Sequence, residues 1–397
     1  MINEYYKSLT NKKSQIREMY MYGLKRKKEV GEENVFDYSL GNPSVDAPKE
    51  FDMAIKNVLD TKSSLEVHGY SPNLGNDYMR ERVASSLKRR FNLPYTKDCI
   101  FPTSGAAGAL AHAIRAVTTP GDEVITFAPY FPEYNHYVGG TGAILKVVEA
   151  NTTNFQINFD EFKKLINEKT MAVLINTPNN PSGIVYSTET IKKLASILKI
   201  SENKYGHEIY LISDEPYREI VFNGVDNPCV SQFYDNTLMC YSFSKSLSIP
   251  GERIGYVAVN PLCKNHKILV EIMAQISRGI GHNCPTSLIQ EAVADCIDMT
   301  SDLAVYETNM NILYDKLKEL GFEVVKPGGT FYMFPKCLEE DSQHFCEVAK
   351  SLDLLLVPSD TFGVKGYFRI AYCVTTDFVK RSLKKFEELK KIYDKKI

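Results

Sequence analysis

Lys245 closes the run Ser242-Phe243-Ser244-Lys245, at the end of an apolar stretch and eight residues before Arg253. A lysine amine desolvated in such a place can serve as a Schiff-base nucleophile, whereas in an isolated Ser-Lys-Ser it would simply be a surface charge. Asp214 ends the apolar run Tyr210-Leu211-Ile212, so once buried it needs a cationic or hydrogen-bonding partner. A protonated pyridine nitrogen would serve, and a carboxylate holding that proton makes the ring a stronger sink for a carbanion. The plainer alternative is a strand-end aspartate that caps the next helix. Two more runs, Thr177-Pro178-Asn179-Asn180-Pro181-Ser182-Gly183 and Pro250-Gly251-Glu252-Arg253, also follow or flank apolar stretches. Each run alone is weak. Their coincidence at strand ends, where open α/β sheets place their ligands, carries weight.

Elements must hold these runs in place. From about residue 104, short apolar stretches alternate with longer helix-compatible ones, the order expected of parallel strands joined by crossover helices. The spacing predicts strands over 123–128, 171–176, 209–213, 238–243 and 254–259, and a helix over 188–198. The turn signal Pro120-Gly121-Asp122 falls just before the first of these strands. After about residue 282 the pattern changes to a charged helix over 303–320 and short strands near 322–325, 330–334 and 368–372, which suits a smaller α+β lobe. The first thirty residues interleave Lys7, Lys12, Lys13, Arg17 and Lys25 to Lys28 with Glu4, Glu18 and Glu29, as in a solvated amphipathic helical arm.

In order and spacing these runs resemble the fold-type I pyridoxal-phosphate (PLP) enzymes, in particular the class I/II aminotransferases related to aspartate aminotransferase. The resemblance extends over most of the chain, through Gly41-Asn42-Pro43, His68-Gly69-Tyr70, Thr103-Ser104-Gly105-Ala106, Ala128-Pro129-Tyr130-Phe131, Asp214-Glu215-Pro216-Tyr217, the runs above, and Phe368-Arg369-Ile370. It implies an α/β fold: a mostly parallel central sheet flanked by helices, with a smaller α+β domain. The implied division is an N-terminal arm and part of the small domain over 1–45, a cofactor-binding large domain over 46–282 and a C-terminal small domain over 283–397.

The resemblance also implies roles. Lys245 would bind pyridoxal 5'-phosphate as a Schiff base and move the proton at Cα. Asp214 would pair with the ring nitrogen, and Tyr217 and Asn180 would hydrogen-bond the phenolic oxygen. Gly105 and Ala106 at a helix start, with Ser242, Ser244 and Arg253, would hold the phosphate. Phe131 would stack on the ring, and Tyr70 would reach the phosphate of a neighbouring subunit in a homodimer. Arg369 would take the substrate α-carboxylate through its planar fork, completed by Asn180 and Gly41; a structural salt bridge is its competing role. Two departures stand out. Ala106-Ala107-Gly108 brings no side-chain hydroxyl to the phosphate, and Pro216 stiffens the loop before Tyr217.

Composition bounds the partners. Lys plus Arg total 47 against 49 Asp plus Glu, a net charge of -2, so no global field would recruit nucleic acid or an anionic membrane. The N-terminus lacks a secretory plan and no stretch reaches the roughly 20 apolar residues of a membrane helix, so a cytoplasmic location is expected. Nine scattered cysteines without Cys-x-x-Cys pairing read as reduced packing residues, not disulfides or a metal site. The expected reaction is amino transfer from an L-amino acid, aspartate-type or broad, to a 2-oxo acid such as 2-oxoglutarate, by ping-pong kinetics. A carbon–sulfur β-lyase would use the same residues. A PLP-binding regulator would need a DNA-binding domain, for which about forty residues before Gly41 are too few. A second cation for a distal carboxylate could come from Arg278 or elsewhere.

Overall fold

Between residues 100 and 259 the apolar runs form a seven-stranded sheet, in a computed structural model that describes residues 2–10 and 14–395. Lys12 and Lys13 of the expected arm lie outside the described residues. In chain order the strands are β1 (Phe36–Asp37), β2 (Ile100–Thr103), β3 (Glu123–Phe127), β4 (Ile144–Val148), β5 (Thr170–Asn176), β6 (Tyr210–Asp214), β7 (Thr237–Ser242), β8 (Gly255–Val259), β9 (Tyr332–Met333), β10 (Leu354–Leu355), β11 (Val357–Pro358) and β12 (Phe368–Ala371). The large sheet runs β2-β8-β7-β6-β5-β3-β4. Strands β3 to β7 pair in parallel, while β8 is antiparallel to both of its neighbours.

The antiparallel β8 departs from the run of parallel strands read off the sequence. Residues 243–254 contain only a four-residue helix, Phe243–Ser246, and a short 3-10 turn, Pro250–Glu252, with no full crossover helix. Without one the chain does not return to the far end of the sheet, and it re-enters in the opposite sense.

Alternation along each strand fills both faces. Ile125, Val173, Ile175 and Leu211 pack with Phe162, Ile191, Leu194 and Leu198 on one face. On the other face, Val124, Leu174, Ile212 and Leu238 pack with Leu110, Ala113, Ile114 and Met273. Because both faces are covered, the central strands read as continuous apolar runs. The helix Thr188–Tyr205 is longer than predicted; Ser187 caps its start and Gly206, left-handed at φ 77°, ends it.

The predicted helix over 303–320 is observed as Ala304–Glu319, and strands form at β9 and β12. Residues 322–325 form no strand, although the carbonyl of Glu323 accepts from the Lys336 amide at 2.9 Å. β9, β12 and β11 make a small antiparallel sheet. A parallel pairing of β1 with β10 ties the start of the chain to this region, so residues just after β1 run alongside β12, with the Ala371 amide donating to the Tyr38 carbonyl at 2.9 Å. The N-terminal arm forms two helices, Glu4–Thr10 and Gln15–Val30. Among the described residues no helix is long and apolar enough to cross a membrane.

Candidate active site

The C-terminal ends of β5, β6 and β7 point into one cleft of about 390 Å³. Asn176, the last residue of β5, donates from Nδ2 to the Asp214 carbonyl at 2.8 Å and accepts the Asn180 amide at 2.7 Å, which fixes the loop after β5. Asn179 accepts from both the amide and hydroxyl of Ser182, closing that loop on itself. The Asn-Asn-Pro-Ser-Gly run is thus held by its own side chains, with Asn180 facing the cleft.

Asp214 ends β6 and is buried. Its Oδ2 accepts from the Tyr134 hydroxyl at 2.6 Å, while Oδ1 is buried without a partner among the described residues. Burial pushes this carboxyl up to about 7, the Tyr134 hydrogen bond opposing and the Glu215 charge adding. The helix-capping alternative therefore does not describe this side chain. Glu215 next to it has a separate task, a buried ion pair with Arg218 at 2.5 Å.

Lys245 sits on the short helix after β7, whose start Ser242 caps by accepting the Ser244 amide at 3.2 Å. Its Nζ donates to the Gly41 carbonyl at 2.8 Å, across from the segment that follows β1. Burial lowers the amine to about 8; Cys373 opposes this, and the positive Arg253 and Arg369 add to it. A large fraction of the amine is then neutral near pH 8 without any general base.

On the other side of Lys245 the helix Gly105–Val117 opens toward the cleft, with Ala106 and Ala107 on the wall. Ser104 at its start makes no side-chain cap, so the first-turn N–H groups face the cleft uncapped by a hydroxyl. Gly105 is favoured by its φ of +72°, and an added Cβ would lie 3.0 Å from Nη2 of Arg253, so the guanidinium would have to shift slightly. Arg253 itself donates to the carbonyls of Pro250 (3.0 Å) and Ser104 (3.4 Å), and Ser242 and Ser244 share a 2.8 Å hydroxyl contact nearby. Uncapped amides, a guanidinium and two hydroxyls together suit a phosphate.

Arg369 on β12 forms the opposite end. It is buried, donates from Nη1 to Asn180 Oδ1 at 3.1 Å and from Nη2 to the Ser39 carbonyl, and lies over the rings of Tyr332 (4.6 Å) and Phe362 (5.2 Å). Its Nε has no partner, and no acidic side chain among the described residues pairs with it. The structural salt bridge weighed from sequence is therefore not what Arg369 makes, and burial holds its guanidinium below the ordinary arginine range.

Gly41, Ala106, Phe131, Asn180, Asp214, Tyr217, Ser242, Ser244, Lys245, Arg253 and Arg369 all line this one cleft. Gly105 sits just behind, against Arg253. Tyr70 does not join them. It is fully exposed, with a relative exposure of 106%, and lines a second concavity with His68, Arg278 and Cys284. Sequence reasoning missed Tyr134 and Tyr332. Tyr134 lies three residues after Phe131, at the first residue of the helix Tyr134–Gly139, and Tyr332 adjoins Phe331 in an apolar run that reads as core.

These residues fit pyridoxal phosphate. The unpartnered Asp214 Oδ1 asks for a buried cationic N–H, the open helix start and Arg253 ask for an anion, and the near-neutral lysine asks for a carbonyl carbon. Comparison with known proteins points the same way. The family model for aminotransferase class I and II matches residues 33–386. A probable aspartate aminotransferase of Methanocaldococcus jannaschii is 30% identical over 391 residues, covering 95% of this chain and 97% of that protein. Among solved structures, an amino transferase from Eubacterium rectale is 44% identical with a TM-score of 0.96 over 99% of both chains. An aspartate aminotransferase from Thermotoga maritima is 27% identical with a TM-score of 0.84, covering 95% of this chain and 96% of that one.

Proposed function

We propose, from the premise that this chain belongs to the class I and II aminotransferases and is a pyridoxal-phosphate-dependent transaminase, that it moves the amino group of an aspartate-type or broader set of L-amino acids to 2-oxoglutarate by a ping-pong mechanism through Lys245. The observation that carries this reading is the part-buried Lys245 amine, lowered to about 8 in one cleft with an unpaired Asp214 oxygen and an arginine lacking a carboxylate partner. When bound, pyridoxal phosphate takes an amine at its aldehyde carbon and draws electrons from the substrate's Cα into its ring.

Each residue then has a task set by its surroundings. Lys245 would supply the neutral amine that holds the aldehyde carbon and, once freed by the substrate's amino group, would take the Cα proton and deliver it to that former aldehyde carbon, on the other side of the nitrogen. Asp214 Oδ1 holds the proton of the ring nitrogen, with Tyr134 fixing the other oxygen. Tyr217 and Asn180 donate to the phenolic oxygen, Phe131 covers the ring, and Gly105, Ala106, Ser242, Ser244 and Arg253 hold the phosphate. Arg369, with Asn180 and Gly41 beside it, orients the substrate by its α-carboxylate. Tyr70 reaches a neighbouring subunit's phosphate in a homodimer, a reading supported by its full exposure on a concavity away from its own cleft. The division at residues 45 and 282 is supported by the β1–β10 pairing, which joins the first segment to the last. Nine free cysteines, eight of them buried, support a reducing cytoplasmic setting.

The β-lyase alternative is not favoured, since the relatives named above are aminotransferases. Initial rates with a panel of L-amino acids against 2-oxoglutarate test the proposal. Parallel double-reciprocal lines are expected for the preferred donor, and converging lines, or product formed without an acceptor, would contradict it.

A further inference from the structure

Tyr332 has no role in the assignment above, yet it stands between the two halves of the cleft. Its hydroxyl is 3.3 Å from that of Tyr217, its ring carries the Arg369 guanidinium at 4.6 Å, and it lines the cavity. Resting on the transaminase reading of this site, we propose that Tyr332 is a positioning residue that joins the cofactor half of the cleft to the substrate half: its hydroxyl donates to Tyr217, and its ring floors Arg369.

The hydrogen-bond count sets the direction. Tyr217 has a single O–H. Once that proton goes to the cofactor's phenolic oxygen, the contact with Tyr332 persists only with Tyr332 as donor. A bond donated to the Tyr217 oxygen polarises the Tyr217 O–H and strengthens its own donation. The ring does separate work. Among the described residues buried Arg369 has no carboxylate partner; its Nη atoms donate to Asn180 Oδ1 and the Ser39 carbonyl, and the rings of Tyr332 and Phe362 support its plane.

Gly41 shows how tightly the hydroxyl is seated. A Cβ at position 41 would lie 1.7 Å from the Tyr332 oxygen, so the hydroxyl fills the space that the glycine leaves. The carbonyl of the same glycine accepts from Lys245 Nζ at 2.8 Å. If Tyr332 served packing alone, phenylalanine would do as well, because the ring would remain.

The test compares Tyr332→Phe and Tyr332→Leu, each loaded with pyridoxal phosphate. In Tyr332→Phe the pH midpoint of the visible band moves up by about 0.5 unit, because a weaker Tyr217 donor leaves more charge on the phenolic oxygen, which then holds the adjacent proton longer. Its amino-acid KM stays within about twofold of wild type, since the ring is kept. Tyr332→Leu adds a KM increase of roughly tenfold with a smaller fall in kcat. An unshifted midpoint in Tyr332→Phe beside a normal wild-type band would overturn this inference alone. So would a Tyr332→Leu enzyme whose KM matches that of Tyr332→Phe. If Tyr332→Leu does not fold, the Tyr332→Phe titration and its KM-against-kcat split decide. A wild-type protein that shows no visible band with pyridoxal phosphate would overturn the reading of the whole site, and this inference with it.

Discussion

In the cleft around Lys245, polar groups are held by the fold itself, from the ends of three parallel strands, one helix start and β12. In the concavity around Tyr70, the lining comes from loops and helix ends at 67–73 and 274–288, and the tyrosine is fully exposed. The first surface has buried groups that lack partners of a definite chemistry: an acceptor at Asp214 Oδ1 and a donor at Arg369 Nε. The second has reach but no enclosure. The difference separates two ways of building a site, one whose buried groups are all held by the fold of a single chain, and one whose proposed use is to complete the cleft of a second copy.

The largest effect expected falls on the enclosed side. Lys245→Ala removes both the amine that holds the cofactor and the base that moves the Cα proton, so turnover should fall by roughly 10⁴-fold or more and the visible band should vanish. Near-wild-type turnover would break the comparison outright. Asp214→Asn keeps shape and loses the charge that holds the ring proton, for an expected kcat loss of about 10³-fold, read in single-turnover kinetics. Arg369→Ala leaves the substrate carboxylate without its partner; KM for amino acids should rise about 100-fold with kcat less affected.

The exposed side is sharpened by hybrids. Tyr70→Phe should weaken cofactor retention by roughly tenfold, measured by dialysis. If Tyr70 acts across an interface, co-expressing Lys245→Ala with Tyr70→Ala chains yields hybrid dimers with one intact site and, after dialysis against cofactor-free buffer, activity well above either parent. Activity no greater than that of the parents would place Tyr70 in a packing role.

The smallest effect concerns pH. The Asp214 carboxyl is raised from 3.8 to about 7 in the folded chain by burial, so the native state binds the extra proton between those values. Cofactor-free protein should therefore lose stability as pH rises from about 4 to about 7, a slope absent in Asp214→Asn and visible in Tm against pH. Tyr134→Phe removes the bond that lowers this pKa. The pH midpoint for cofactor uptake should then move upward by about half a unit.

The polar runs and their strand-end positions were legible in the sequence because the central strands are buried on both faces and read as unbroken apolar runs. Lys245 and Asp214 drew attention because charged groups at the ends of such runs need a reason to be there, whereas the roles of Asn180 and Arg369 came only from the resemblance to a known family. The reversal of β8 was not legible, since its composition matches that of its parallel neighbours and only the missing crossover helix decides its direction. The strand expected over 322–325 fails because its backbone bonds are two isolated ones, from the Phe322 amide to Leu317 and from the Lys336 amide to Glu323, in place of a ladder. Tyr134 and Tyr332 stayed hidden for one reason. A buried tyrosine looks like core until the partner of its hydroxyl is known, and those partners, Asp214 and Tyr217, are 80 and 115 residues away.

The central claim is that this cleft stores an amino group between two half-reactions. Mixing the loaded enzyme with a single L-amino acid and no acceptor, and measuring the 2-oxo acid released, tests it directly. The account predicts a burst of about one oxo acid per cleft, loss of the visible band, no free ammonia, and recovery of the band on adding 2-oxoglutarate. Continuous release of oxo acid and ammonia without an acceptor would contradict it.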